Sequence, residues 1–174
     1  MIFGRKRRAP EEPQKVGAPV IRGYHSRDLK ALRAVTRAAL AGMCVDSSVE
    51  EKFGLINGTT WEDRRCAYIE QDVSYWPDYT FVAELAGEVV GYITTSLDRF
   101  SRTGHIRNLA VLPAQQGKGI GRSLIAHALA CFKRDGMEYV RIETVTHNDR
   151  CTALYPKMGF VEVARQVFYF QKLD

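Results

Sequence analysis

The sequence predicts one α/β domain in which a mixed, mostly antiparallel sheet of about six to seven strands carries helices on its faces. The first observation is size and composition, because 174 residues with 45% hydrophobic and 26% charged side chains are typical of one globular domain. The second is periodicity, since segments of period two and of period 3.6 alternate as strand, helices, three strands, helix, strand, helix and two strands. The third is the short turns between the three central strands, which favour antiparallel pairing.

The net charge of +5 is concentrated at the start of the chain, where Met1–Arg8 carries four basic residues and no acidic ones. We expect residues 1–17 to form a basic, flexible tail and residues 18–174 to form the single domain. A basic tail can bind nucleic acid. We therefore expect no nucleic-acid partner except through this tail.

The cysteines predict neither a metal site nor a disulfide framework. They stand at 44, 66, 131 and 151, and no pair has the CxxC spacing of a zinc knuckle or a redox motif. This pattern is typical of a reducing cytoplasm, so we expect a cytoplasmic protein without a metal. No apolar run reaches the roughly 18–20 residues needed to span a bilayer, so we expect no membrane partner.

The first half of the chain begins with a short strand and a helix that Ser26 is expected to cap. Residues 43–78 are harder to interpret, although Thr60 is a suitable cap for a helix from Trp61 to about Val73. Gly87 marks a hairpin turn between two β-rich segments, and a third strand ends before Pro113. The strands predicted in this half are 20–24, 80–85, 89–97 and 105–112.

The second half contains a helix with an apolar stripe that starts at Ile120 and ends at a capping Gly136. A strand over 139–145 follows, and then a short helix that Asn148 or Asp149 caps and that ends before Gly159. Two strands over 160–164 and 166–172 complete the prediction. The last is apolar, and because an uncovered edge strand invites pairing, we expect a homodimer to be feasible.

A glycine-rich turn between the third central strand and the next helix is the most informative segment. Glycines without a Cβ, followed by the free N–H groups of a helix start, form a cradle for phosphate or pyrophosphate. The spacing GxGxG over Gly117–Gly121 fits neither a Walker A loop nor a GxGxxG dinucleotide fingerprint. It matches the acetyl-CoA pattern Gln/Arg-x-x-Gly-x-Gly/Ala, with an ordinary glycine-rich turn as the alternative.

The segments around this turn resemble the GNAT superfamily of acetyl-CoA-dependent N-acetyltransferases. The stretch IRNLAVLPAQQGKGIGRSLI is similar to that family's central strand, loop and helix, and IETVTHNDRCTALYPKMGF resembles its later strand and helix. VIRGYHSRDLKAL resembles its first strand and helix. The resemblance implies a GNAT-like sheet that is splayed at the cofactor site, and direct transfer of an acetyl group from acetyl-CoA to a primary amine.

By this resemblance, one set of residues binds the cofactor. Main-chain groups of the central strand would pair with pantetheine, the loop would hold the pyrophosphate, and Asn148 would contact the cofactor or cap its helix. The set is Leu109, Ala110, Val111, Gln116, Gly117, Lys118, Gly119, Ile120, Gly121, Arg122 and Asn148.

The resemblance also implies the groups that move protons. Tyr155 matches the family's general acid, with a packed core tyrosine as the alternative, and Pro156 directly after it departs from the family pattern. Glu143 matches a glutamate that acts as base in the ribosomal-protein N-terminal acetyltransferases. His105 lies near the position of a catalytic glutamate in histone-type members, and its ordinary pKa also suits a base.

The acceptor amine is the least determined part of the prediction. Trp61, Tyr75, Trp76 and Tyr79 could line an amine or peptide groove, or could be core residues. Two other functions stay open. One is a catalytically silent acyl-CoA-binding module, which Pro156 would favour, and the other is RNA or ribosome binding through the basic tail.

Overall fold

The computed structural model describes residues 17–173, which form a five-stranded sheet of order β1-β2-β3-β4-β5. The first four strands pair antiparallel, and β5 pairs parallel to β4. The strands are β1 Val20–Gly23, β2 Thr80–Leu85, β3 Glu88–Asp98, β4 Thr103–Val111 and β5 Tyr139–Ile142. The predicted tail lies outside the described residues except for Gly17.

Helices flank the sheet, and one of them, α2, lies within residues 43–78, where the sequence did not predict it. They are α1 Leu29–Ala39, α2 Val45–Phe53, α3 Trp61–Tyr75, α4 Ile120–Arg134 and α5 Asp149–Lys157. The predicted cap of α3 is confirmed, because the Thr60 hydroxyl accepts a hydrogen bond from the Asp63 N–H. Ser26 does not cap α1, because a short 3-10 turn over Ser26–Asp28 precedes that helix. Among the described residues, no helix is long and apolar enough to cross a bilayer.

The two faces of the sheet pack against different helices. On one face, the buried core includes Ile106, Leu124 and Phe132, the last two from α4. On the other face, Tyr92 and Ala110 pack with residues of α1 and α3. Alternation along each strand therefore places one set of side chains against α4 and the next set against α1 and α3.

The junction of β4 and β5 opens part of the way along. The two strands pair through four residues, and the last pair joins Ile106 to Ile142. Strand β4 then continues to Val111, whereas β5 ends, so it is shorter than the predicted 139–145. Pairing therefore stops where the splay is predicted; we call this opening the splay, and among the described residues it leaves the outer edge of residues 107–111 without a neighbouring strand.

A β-bulge lies at the start of this splay. Strand β3 aligns Thr95 with Ile106 and Thr94 with Asn108, so Arg107 is an extra residue on β4. A bulge of this kind bends its strand and turns two successive side chains toward the same face. Here the side chains of Arg107 and Asn108 both donate to the same carboxylate on α3, that of Asp72.

The prediction of strands over 160–164 and 166–172 is wrong, and the described sheet has five strands rather than six to seven. Residues 161–173 carry apolar side chains that are largely exposed, Val163 and Tyr169 among them. High β-propensity measures how well a side chain fits a half-buried pleated surface, and it forms a strand only where a partner strand exists. The expectation of a homodimer was based on an edge strand over residues 166–172. That strand is absent from the described structure, so the homodimer stays a prediction that this strand no longer supports.

Candidate active site

The glycine-rich turn has the shape that the sequence predicted. Gly117 and Gly119 have φ values of +78° and +83°, in the left-handed region that disfavours residues with a Cβ. A Cβ built on either would meet no heavy atom within 4 Å, so both glycines border open space. The loop is exposed and runs directly into α4 at Ile120.

The start of α4 offers a row of unused hydrogen-bond donors. Among the described residues, no hydrogen bond occupies the backbone N–H groups of residues 117–122, and the first N–H of the helix with a partner is that of Ser123. Lys118 and Arg122 add positive charge beside these groups, and the first turn of the helix contains no acidic residue. Such an arrangement binds phosphate oxygens through N–H groups and the helix dipole.

The side chain of Gln116 links the loop to the end of β4. The Gln116 side chain donates from Nε2 to the Val111 carbonyl at 2.8 Å. Its Oε1 is buried and has no hydrogen-bond partner among the described residues. A buried acceptor without a donor costs free energy, so Gln116 joins the loop to Val111 at the expense of this atom. Leu109 and Ala110 lead up to Val111 along the free edge of the splay.

Tyr155 lies on α5, on the same side of the sheet as α4. Its ring packs against the apolar cluster and lies 5.9 Å from the Phe160 ring, centroid to centroid. Burial and the neighbouring Cys151 thiol raise the pKa of the phenol well above its ordinary value, so it keeps its proton at neutral pH. The helix continues from Tyr155 through Pro156 to Lys157, so the proline does not interrupt the helix at Tyr155.

Asn148 has a structural role that the sequence had left open. Its side-chain oxygen accepts a hydrogen bond from the Cys151 N–H at 3.3 Å and thereby caps α5. Such a cap stabilises a helix by about 1 kcal/mol. Asn148 therefore holds the start of the helix that carries Tyr155.

His105 and Glu143 lie together on the opposite side of the sheet. Their Nε2 and Oε2 atoms are 3.9 Å apart, and Arg141 also donates to the Glu143 carboxylate. Burial, together with the positive charges of Arg141 and Arg107, lowers the pKa of His105 to about 4. The imidazole is therefore neutral at pH 7. Among the described residues, no hydrogen bond joins Tyr155 to either side chain.

A polar network that the sequence did not predict lies next to this pair. Asp72, which is 3% exposed, accepts hydrogen bonds from Arg107 Nε at 2.6 Å, Asn108 Nδ2 at 2.6 Å and Thr94 Oγ1 at 2.8 Å. Arg65 donates to the Asn108 side-chain oxygen and approaches Asp46 of α2. The sequence offers one indication of this network, which is the charged Asp72 among the apolar positions of α3. Nothing in the sequence indicates the partners of Asp72.

The four aromatic residues proposed for the acceptor pocket lie in different parts of the structure and do not line one groove. Trp61 borders a cavity of about 560 Å³ together with Glu50, Glu51 and His147. Trp76 and Tyr79 instead pack against the apolar core in edge-to-face contact, and Tyr75 is exposed. Among the described residues, no group of three or more histidine, cysteine or acidic side chains is arranged to hold a metal ion.

Comparisons with known proteins agree with this geometry. The sequence profile of the acetyltransferase (GNAT) family matches residues 45–160. The chain is 32% identical to the N-alpha-acetyltransferase RimI of Mycobacterium tuberculosis, over 65% of this chain and 81% of that protein. It is 31% identical to the N-alpha-acetyltransferase MAK3 of Arabidopsis thaliana over 56% of this chain, and the match spans 53% of the relative's length.

A solved structure shows the same architecture. The crystal structure of Ard1 from Thermoplasma volcanium superimposes with a TM-score of 0.64 at 27% identity, and the match covers 85% of this chain and 86% of that one. The glycine-rich cradle, the splayed strands and the family profile therefore agree. The chain belongs to the GNAT family of acetyltransferases.

Proposed function

We propose that this protein transfers an acetyl group from acetyl-CoA to a primary amine by direct attack, and that the amine is the α-amino group of a peptide or protein. The open cradle of N–H groups at the start of α4, beside the splay of β4 and β5, is the observation that carries the proposal. The N-alpha-acetyltransferase relatives support the α-amino acceptor.

The residues of the loop and of β4 fit acetyl-CoA. The backbone N–H groups of residues 117–122, with Lys118 and Arg122, would hold the pyrophosphate. Main-chain groups along the free edge of Leu109–Val111 would pair with pantetheine in the manner of an added strand. The cofactor supplies the acetyl thioester, whose carbonyl carbon the amine attacks and whose thiolate departs.

We assign Glu143 as the group that accepts the proton of the acceptor amine. It is the first residue of the chain beyond the last β4–β5 pair, so it borders the splay, and it is exposed. His105 lies one residue inside the paired segment and is more buried. A base must reach the proton directly or through one water, and the more accessible carboxylate fits this requirement better.

We assign Tyr155 as the group that protonates the departing thiolate. A phenol carries its proton at neutral pH, as a general acid requires. The Asn148 cap and the packing of the ring against the apolar cluster hold the phenol in one place.

Two alternative functions are open to test. A catalytically silent acyl-CoA-binding module would use the same cradle, so only turnover separates it from an enzyme. RNA binding through the basic tail concerns residues outside the described range, and it would weaken steeply with rising salt.

The proposal is tested by calorimetric titration of the full chain with acetyl-CoA and, as a control, with NAD. We expect binding of acetyl-CoA alone and its loss in Gly119→Val, because the new side chain would enter the cradle. Gly87→Val is the matched control, since Gly87 also has a positive φ and open space around its Cβ position but lies in the β2–β3 turn. Unchanged affinity in folded Gly119→Val would show that the loop is not the binding site.

Turnover is then measured as thiol release with short peptides as acceptors. Release that depends on the peptide supports the enzyme. Binding of acetyl-CoA without release for any amine would favour the silent module instead.

A further inference from the structure

Arg107 is the exposed residue of β4, and it stands at the mouth of the splay. The other eight residues of the strand are buried or half-buried, whereas the Arg107 side chain is 40% exposed. It is also the first residue of β4 beyond the last pair with β5. Arg107 and Glu143 are therefore the two residues that follow that last pair, one on each side of the opening.

The guanidinium is held at one end and free at the other. Its Nε donates to the buried Asp72 carboxylate at 2.6 Å, and Asn108 and Thr94 hold that carboxylate in place. Among the described residues, no hydrogen bond occupies the two terminal amino groups of Arg107. The buried carboxylate of Asp72 fixes one edge of the exposed guanidinium. The two terminal amino groups are therefore held rigidly and can both donate to an oxygen-bearing group of a ligand.

The charge of Arg107 also selects among amines. It lowers the pKa of His105, and it would lower the pKa of an ammonium group bound nearby in the same way. An α-amino group has an ordinary pKa of about 8 and a lysine side chain one of about 10.4, so the α-amine needs the smaller shift to become a nucleophile.

We propose that Arg107 binds the acceptor substrate, through a carbonyl or carboxylate oxygen that the acceptor carries close to its reacting amine. This inference rests on the proposed acetyl transfer. It makes Arg107 a specificity-determining residue: peptides and amino-acid amides, which carry a carbonyl next to the α-amine, are substrates. Simple amines without such an oxygen and polyamines are poor ones.

The test compares acceptors at saturating acetyl-CoA in wild type, Arg107→Gln and Arg107→Lys. The acceptors are alanyl-alanine amide, aspartyl-alanine amide, phenylethylamine and spermidine. Losing a charge-assisted hydrogen bond typically weakens binding about ten- to a hundredfold. We expect Arg107→Gln to raise the KM of alanyl-alanine amide by about that factor with little change in kcat, and Arg107→Lys to recover part of it.

The same substitution should leave the KM of phenylethylamine unchanged. A larger effect on aspartyl-alanine amide than on alanyl-alanine amide would assign the bond to a side-chain carboxylate, and equal effects would assign it to the carbonyl. Arg99→Gln is the control, because Arg99 is exposed between β3 and β4. An equal rise in KM for all four amines, or no rise for either peptide, would overturn the proposal.

Binding without turnover separates this inference from the proposed function. Alanyl-alanine amide is titrated calorimetrically into the CoA-saturated protein, and thermal melting verifies that each variant is folded. Weaker binding to Arg107→Gln than to wild type supports the role of Arg107 even if no amine is acetylated. Failure of wild type to bind the peptide, or equal binding by wild type and Arg107→Gln, would overturn it.

Discussion

The two faces of strand β4 consist of alternating residues of one segment, and they differ in polarity and in what they contact. Toward α4, Gly104 and Ile106 meet a packed apolar cluster, and a Cβ on Gly104 would lie 2.6 Å from the Phe132 ring. Toward α3, Arg107 and Asn108 meet the buried carboxylate of Asp72. The face toward α4 therefore fixes the position of the strand by close packing. The face toward α3 places charged side chains at the opening of the splay.

The same division separates the proposed proton-transfer groups. Tyr155 belongs to the α4 side, where its ring is packed against the apolar cluster and burial raises the pKa of its phenol. His105 and Glu143 belong to the opposite side, where burial and then the charges of nearby arginines keep the imidazole neutral. The proposed donor therefore lies in apolar surroundings, and the proposed acceptor Glu143 lies in accessible polar ones. Substitutions on the two faces should therefore have separable effects on stability and on turnover.

The largest expected effect breaks the apolar face. Phe132 is 1% exposed, so Phe132→Ala removes a buried ring and leaves a cavity, and we expect a loss of about 3–5 kcal/mol in the free energy of unfolding. Urea denaturation measures this. Phe100→Ala is the control, because Phe100 is fully exposed and its removal should change stability by less than about 0.5 kcal/mol. Similar losses in the two variants would contradict this description of the core.

The next effect concerns turnover rather than stability. Tyr155→Phe removes the proposed acid, and we expect kcat to fall about 10- to 1000-fold with little change in acetyl-CoA affinity. Tyr139→Phe, at an exposed tyrosine on β5, is the matched control. Wild-type kcat in Tyr155→Phe would remove Tyr155 as the acid.

A smaller effect breaks the polar face. Asp72→Ala leaves the donors of Arg107, Asn108 and Thr94 without their acceptor, and we expect a loss of about 1–3 kcal/mol in the free energy of unfolding. Urea denaturation against Glu51→Ala, an exposed residue of α2, provides the comparison. If both variants were equally stable, the network would not hold the bulge.

Per pH unit, the smallest effect is a pH dependence at His105, which faces Arg107, Arg141, Asp72 and Glu143. Its pKa is about 4 in the folded protein and about 6.5 when unfolded, so between these values the unfolded chain binds a proton that the folded protein does not. Stability should therefore fall as pH drops from 6.5 toward 4, at a slope of at most about 1.4 kcal/mol per pH unit. His105→Gln should flatten that slope in urea titrations repeated across this range, and an unchanged slope would count against the lowered pKa.

Features that depend on neighbouring residues were predictable from the sequence. The hairpin at Gly87, the cap at Thr60, the glycine-rich turn and the end of α4 at Gly136 all occur as expected. Each results from a local rule, such as a positive φ that glycine tolerates or a hydroxyl that accepts a nearby N–H. The geometry of the glycine-rich part of the candidate site was therefore largely predictable from one continuous stretch of sequence.

The C-terminal residues show where local propensity stops being informative. Residues 160–164 and 166–172 have the alternation of strands, yet no strand pairs with them in the described structure. A strand is completed by its neighbour, and a single sequence does not state which neighbour is available.

The sequence by itself determined the family's glycine-rich cradle and most of the secondary structure, because both depend on residues close together along the chain. Only the tertiary structure decided the bulge at Arg107 and the burial of Asp72 beneath it. Asp72 lies 35 positions from Arg107, 36 from Asn108 and 22 from Thr94. Packing α3 against β3 and β4 brings these groups together, and a hydrogen bond between residues so far apart exists only once those elements are folded together.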